Sequence, residues 1–272
     1  MFNPIRLEAH NPGPMTGSGN HTYLVVEDNG PALLIDAGVG ESRHLDELAR
    51  ALDEHRAQLR DVLVTHGHPD HATGVTAIAE HHRHARFFKF PWPEQDERYP
   101  VDWLPVREGD RFTVGDHTLL TLHTPGHSPD HVTFWHEDSR TAFTGDLVVQ
   151  GSSVMIHATK GGDLAQYLQS LDRLRRLAPR RVLPAHGPDV RDPDALIRGY
   201  VDHRLAREAQ VLAAVTAGRD SVPSIVESIY DGLSPALVPA AAENVHAHLE
   251  KLRHEGRVME RNGRWTIAAD HS

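Results

Sequence analysis

The chain has 272 residues, 39% of them hydrophobic, and a formal net charge of −10. That length carries one large domain, or a large one with a small companion, and the acidic balance gives no general attraction to nucleic acid or anionic membrane. There is no cysteine, which excludes disulfides and thiolate metal sites and leaves any metal to nitrogen and oxygen donors.

Residues 1–19 are polar and rich in Gly and Pro, without an apolar leader core, and no apolar run approaches membrane length. A cytoplasmic protein without membrane partners is expected. Residues 22–27 and 32–36 read as paired strands around Asp28-Asn29-Gly30-Pro31, a hairpin-type turn. Ser42 is suited to cap a helix running to about His55, with Leu45, Leu48, Ala49 and Leu52 at helical spacing. Residues 61–65 form a short buried strand, 74–82 a helix and 85–88 another strand. Residues 90–105 hold four prolines and two tryptophans with no period, which predicts a loop, a lid or a substrate wall. Strands follow at 111–114, 117–123, 131–135 and 141–144, then an amphipathic helix at 163–177 capped by Asp163, then a strand at 181–183. Strand and helix recur twice in similar order, which predicts an α/β (α+β) fold: a four-layer αββα sandwich with its site along one edge of two packed sheets.

After Pro193 the character changes. Helices are expected at 195–217, 222–230 and 238–254, then a hairpin of 257–260 and 264–267 around Asn262-Gly263. That is the element order of a winged helix, so the division expected is 1–194 for a catalytic domain and 195–272 for a small C-terminal domain. From Tyr200 onward there are eight Lys/Arg against ten Asp/Glu. That balance does not suit a reader of duplex DNA, and a packing or substrate-wall role is expected instead.

The segment Thr65-His66-Gly67-His68-Pro69-Asp70-His71 follows the apolar run Val62-Leu63-Val64. Packing has no use for three imidazoles and a carboxylate in one tight turn, whereas a pair of metal ions does. His66 and His68 alternate onto one side of an extended segment and can share one ion. Asp70 and His71 lie past Pro69, where the chain turns toward a neighbouring spot. Three later positions fit the same site: His127 in Thr124-Pro125-Gly126-His127, Asp146 in Thr144-Gly145-Asp146, and His186 in Ala185-His186-Gly187. Each sits beside Gly at a strand end, where the backbone can turn and approach closely. Five imidazoles and two carboxylates without sulfur suit Zn(II), with Fe and Mn as alternatives. The cluster His81-His82-Arg83-His84 reads as a solvated helix end, favourable to the helix dipole.

This pattern, from about Thr22 to Gly187, resembles the metallo-β-lactamase fold superfamily. The resemblance implies that His66, His68 and His127 bind a first ion, that Asp70, His71 and His186 bind a second, and that Asp146 bridges them. It implies a supporting role for Asp36, in Leu34-Ile35-Asp36-Ala37-Gly38. For His131 it implies a place beside the ligands, with a purely structural polar role as the alternative. His68 stands where the superfamily's di-iron flavoproteins carry a glutamate, and Asp146 where the best-known β-lactamases carry a cysteine, so neither activity is implied.

A closer similarity includes Asn11-Pro12-Gly13-Pro14, Asn20-His21-Thr22-Tyr23-Leu24-Val25, the run from Gly145 to Val154, and the run from Leu249 to Val258. These resemble the β-lactamase-like-2 group, which carries a winged-helix-like tail and whose human member is a single-strand endoribonuclease. The implied function is a dinuclear zinc hydrolase using a metal-bridging hydroxide, with Asp70 orienting it and a single-stranded RNA as substrate. The alternative is a small ester, thioester or lactone, as in glyoxalase-II-like members. Less favoured are a metal-responsive DNA-binding regulator and a mononuclear iron dioxygenase. His21 and His157 are candidates to protonate the leaving group.

Overall fold

The computed structural model describes residues 2–13, 16–151 and 153–268, so Pro14 and Ser152 of the quoted motifs lie outside the described residues. Two sheets form the body. The first runs in spatial order β1 (Ile5–Glu8), β2 (His21–Val26), β3 (Pro31–Ile35), β4 (Gln58–Val64), β5 (Arg86–Lys89) and β6 (Trp103–Pro105). The second runs β11 (Arg181–Pro184), β10 (Thr141–Gly145), β9 (Val132–His136), β8 (His117–His123) and β7 (Arg111–Val114). In the first sheet β3 to β6 are parallel and β1–β2–β3 antiparallel; in the second only β10 and β11 are parallel.

The layers follow from the period of two along the strands. Tyr23, Val25, Leu33, Ile35 and Leu63 of the first sheet meet Val132, Phe134, Phe143 and Leu183 of the second in a buried central core. The intervening Leu24, Leu34, Val62 and Val64 point the other way, against α1 (Ser42–Glu54) and α3 (Val75–His81). Trp135, Ala142 and Val182 do the same against α5 (Leu164–Arg176) and α6 (Pro193–Thr216). Helix, sheet, sheet and helix are therefore the four expected layers. α6 continues into a further core with α7 (Val222–Ile229), α8 (Val238–His254) and the hairpin of β12 (Val258–Arg261) and β13 (Arg264–Ile267). Asn262 and Gly263 both have positive φ, 54° and 76°, as the hairpin turn requires.

Three local expectations need correction. Residues 5–8, read as part of a polar N-terminal stretch, pair as the edge strand β1, because β2 offers an open edge to any chain passing it. Ser42 is inside α1 with Glu41 at the cap position, and Ala49 is exposed while His44 and Ala51 are buried, so the apolar stripe is rotated from the expected one. The chain does turn past Pro69 as expected, in the helical turn α2 (Pro69–Ala72). The segment expected to be a loop between 90 and 105 contains α4 (Pro93–Asp96) and strand β6. Short, Pro-rich elements of this kind carry no period and take their shape from the neighbour they pair with.

His44 is fully buried on α1, its Nε2 2.8 Å from Thr22 Oγ1. Burial pulls its pKa down to about 4, with Glu47 opposing and His10 assisting. An unfolded histidine titrates near 6.5, so between there and 4 the unfolded chain takes up a proton that the folded chain refuses. Stability from this group is complete above about pH 6.5 and is lost as pH falls toward 4. Denaturant unfolding of the parent and of His44→Gln at pH 7.5 and 5.0 is expected to show the parent losing about 2 kcal/mol more than the variant. Equal losses would remove His44 as a source of acid sensitivity.

Candidate metal centre

All seven expected ligand residues lie at one edge of the sandwich, where β4, β8, β10 and β11 end. His66 and His68 flank Gly67 directly after β4; Asp70 and His71 ride on α2; His127, Asp146 and His186 follow β8, β10 and β11. His68 Nδ1 is 2.9 Å from both His66 Nε2 and His127 Nε2, so three ring nitrogens converge on one point. Asp70, His71 and His186 form a second group, with Asp70 Oδ2 3.7 Å from His71 Nε2 and 3.4 Å from His186 Nε2. Asp146 stands between the groups. Its Oδ2 is 3.5 Å from His127 Nε2, and its Oδ1 is 3.4 Å from His71 Nε2 and 3.3 Å from His186 Nε2.

The donor chemistry fits divalent cations. Among the described residues His71 Nε2 and Asp146 Oδ1 are buried and have no hydrogen-bond partner, a costly arrangement unless a cation takes them. Burial, with the imidazoles of His71, His68 and His127, holds His66 well below the ordinary histidine range, and burial pulls His68 to about 4. Both are neutral donors at pH 7. In the second group burial opposes charge and loses. His71 is pushed well above its usual range by Asp36, Asp146 and Asp70, and His186 is raised to about 10 by Asp146 and Asp70. Despite burial, Asp70 and Asp146 sit below the usual carboxylate range because of His71 and His186. These carboxylates attract positive charge strongly enough to hold protons on neighbouring imidazoles, and a bound cation would displace those protons.

The supporting contacts fix tautomers. Asp36 has a left-handed backbone, φ 60°, strain of the kind that collects at functional sites. Its carboxylate accepts from Thr65 N at 2.8 Å and from His71 Nδ1 at 2.9 Å, which turns His71 Nε2 into the site. His127 Nδ1 donates to the Met155 carbonyl at 2.8 Å and leaves Nε2 free. His131 is not among the converging groups. Burial holds it at about 3, its Nδ1 pairs with Thr124 Oγ1 at 2.9 Å, and its Nε2 accepts from Asp146 N at 3.2 Å, so it holds the backbone of Asp146. Gly145 lets that happen: its φ is 45°, and a Cβ there would lie 2.7 Å from Thr65 Oγ1 and 2.9 Å from His131 Nε2.

Three supports were given no role from the sequence, although Asn20 opens one of the runs that carry the closer similarity. Asn20 Nδ2 donates to Asp70 Oδ2 at 3.0 Å, and Tyr99 Oη donates to the Gly67 carbonyl at 2.8 Å. Asp130, fully buried, accepts from Gly67 N at 2.7 Å and from buried Lys89 Nζ at 2.8 Å. Motif spacing marked the converging histidines, but no chain pattern marks which of the 38 acids braces a distant loop. Of the two leaving-group candidates, His21 Nε2 faces Glu8 at 3.2 Å, and His157 Nδ1 is buried without a hydrogen-bond partner. His81 is exposed and bonds only the Ala77 carbonyl one turn back. His81→Ala is expected to leave metal content unchanged and stability within about 0.5 kcal/mol; a loss of metal would overturn the ligand set.

Residues 15–186 match the family described as the metallo-beta-lactamase superfamily, and residues 221–265 match the beta-lactamase associated winged helix domain. The chain is 32% identical over 269 residues to a beta-lactamase-like protein 2 homolog of Drosophila melanogaster, covering 93% of this chain and 89% of that one. It is 33% identical over 234 residues to an atrochrysone carboxyl ACP thioesterase of Aspergillus chevalieri, covering 83% of this chain and 72% of that one. In structure it is similar to a beta-lactamase domain protein from Burkholderia ambifaria, with a TM-score of 0.80 at 23% identity, over 97% of this chain and 91% of that one. The strand-end cluster, the αββα layers and the matched residues lead to one assignment: the chain belongs to the metallo-β-lactamase superfamily and carries that superfamily's associated winged-helix domain.

Proposed function

We propose that this chain is a dinuclear zinc hydrolase of small acyl esters and thioesters. Residues 1–194 would form its catalytic unit and 195–272 a C-terminal wall of the cleft. The observation that carries the reading is the place of Asp146, one oxygen toward His127 and the other toward His71 and His186. In this reading His66, His68 and His127 hold one ion, Asp70, His71 and His186 hold the other, and Asp146 serves both. Bound there, the ions supply Lewis acidity and a hydroxide at neutral pH. Asp70, steadied by Asn20, orients the attacking water, and Asp36 and Met155 keep the donor nitrogens of His71 and His127 aimed inward.

The substrate class is suggested by a cavity of about 180 Å³ lined by Met155, whose carbonyl accepts from His127, and by Val154, Tyr230, Leu233, Leu237 and Ala241 with the polar Ser153 and Asn244; none of its lining residues is a Lys, an Arg or one of the seven metal-centre residues. Such a wall suits an acyl chain better than a phosphate backbone, whose binding depends on cations. The thioesterase relative supports the same class. Single-stranded RNA, the substrate implied by the resemblance to the β-lactamase-like-2 group, is the second reading.

The test is elemental analysis combined with a panel of an acyl-pantetheine thioester, an aryl ester, a lactone and a fluorogenic single-stranded RNA, each with and without chelator. Two zinc ions and chelator-sensitive thioester turnover are expected. Turnover of RNA alone would replace this reading with the second, and absence of bound metal would sink both. Asp70→Asn should cut turnover about 10²–10⁴-fold while keeping most of the metal, since an amide oxygen remains a weak ligand but cannot take a proton.

A further inference from the structure

Arg204 is the largest fully buried side chain of the described residues, 1% exposed, on the stripe of α6 that also buries Ile197, Tyr200, Glu208 and Val211. Burying a guanidinium is expensive unless its protons are used. Among the described residues no carboxylate forms an ion pair with it, and its Nε has no hydrogen-bond partner. What it does contact leads to the metal centre by two short paths. One Nη donates to the Val154 carbonyl and lies 3.4 Å from Ser153 Oγ. The next carbonyl along, that of Met155, is the acceptor for His127 Nδ1. The guanidinium also lies over the Tyr167 ring, 5.5 Å from its centroid. Tyr167 Oη donates to the carbonyl of Leu147, the neighbour of Asp146, and the Tyr167 backbone is pressed against Gly126, the neighbour of His127.

Two further contacts from the same face secure this backbone. Tyr200 Oη donates to the Val149 carbonyl at 2.8 Å, and Thr159 Oγ1 donates to Glu243 of α8 at 2.8 Å. Val149, Val154 and Thr159 are thus tied to α6 and α8, and Met155 lies between the last two.

We propose that Arg204 is a positioning residue for the metal centre: it fixes the Val154–Met155 backbone that orients His127, and steadies Asp146 through Tyr167. The C-terminal helices are then part of the machinery that sets first-ion affinity, and not only a wall of the cleft. This rests on the metal-centre reading above.

The test uses the full chain carrying Arg204→Lys, Arg204→Gln or Arg204→Met, with Leu205→Ala, a half-exposed neighbour on α6, as control. Zn(II) affinity is measured by chelator competition, and imidazole tautomers by nitrogen-15 NMR. Replacing an orienting partner of a metal ligand typically costs about 10–100-fold in affinity. The expected order for the first ion is Arg above Lys above Gln and Met, with a loss of about that size, and a smaller loss at the other ion, which shares Asp146 but not His127. The His127 Nδ1–H signal should shift in the Gln and Met variants, and the His71 Nδ1–H signal, fixed by Asp36, should stay. If the Met variant fails to fold, the Lys and Gln variants decide the matter. Parent-like affinity for both ions in any folded Gln or Met variant, or equal weakening of both ions in the Leu205→Ala control, would overturn the proposal. A parent that binds no Zn(II) would instead overturn the metal-centre reading.

Discussion

Asp146→Ala is expected to release both ions and to reduce turnover by more than the roughly 10²–10³-fold that follows loss of a single stabilising group. One carboxylate faces donors of both groups, at 3.5 Å on the His127 side and at 3.3 and 3.4 Å on the side of His186 and His71. No other described acid spans the two groups: Asp70 belongs to the second alone. The charge matters as much as the reach. Asp146 is prominent among the charges that raise His71 and His186, and the same negative field would attract a metal cation, so its removal weakens the attraction at the second group as well as removing a ligand. Elemental analysis after dialysis checks the metal, and the thioester panel checks the rate. Asp146→Asn should fall between, since its amide oxygen can bind one ion. An alanine variant that keeps either ion at parental affinity would show that Asp146 does not bridge.

Asp130→Ala is expected to destabilise the fold by about 3–5 kcal/mol and to loosen the first ion. Asp130 is a strut between two loops. Its Oδ2 takes Gly67 N, between His66 and His68, and its Oδ1 takes Ser128 Oγ at 2.8 Å, beside His127. Its charge partner is Lys89, whose Nζ also donates to the Phe90 carbonyl at 2.7 Å and pairs with Asp96 of α4 at 2.6 Å. Truncation leaves a buried ammonium with one carboxylate fewer and an amide without its acceptor, which is why breaking such a pair costs more than never having had it. Because Asp96 remains, the lower end of the range is expected. Denaturant unfolding of the metal-free chain measures the stability, and chelator competition the ion. A change below about 1 kcal/mol would mean that water replaces the carboxylate freely and that the strut has no such role. Asp130→Asn should recover part of the loss through the Gly67 contact.

The sequence alone determined the elements whose causes are local. The central strands were legible as short apolar runs between turn residues, but β2, β3, β9 and β10 are buried on both sides, so which side meets the other sheet was not legible. His66, His68, Asp70 and His71 are legible because one turn has to present several donors to neighbouring ions, which forces them close together in the chain. His127, Asp146 and His186 are legible because each closes a strand beside a glycine. Asn262-Gly263 marks its hairpin because few residue pairs accept two positive φ values. What only the tertiary structure decided is everything held by partners far apart in the chain. Lys89 and Asp130 are 41 residues apart, Asn20 and Asp70 are 50, and Arg204 and Val154 are 50. Nothing in the local pattern distinguishes Arg204 from an exposed arginine, because burial of a charge is set by what packs over it. The same holds for β1 and β6, which exist because an open sheet edge satisfies their backbone groups.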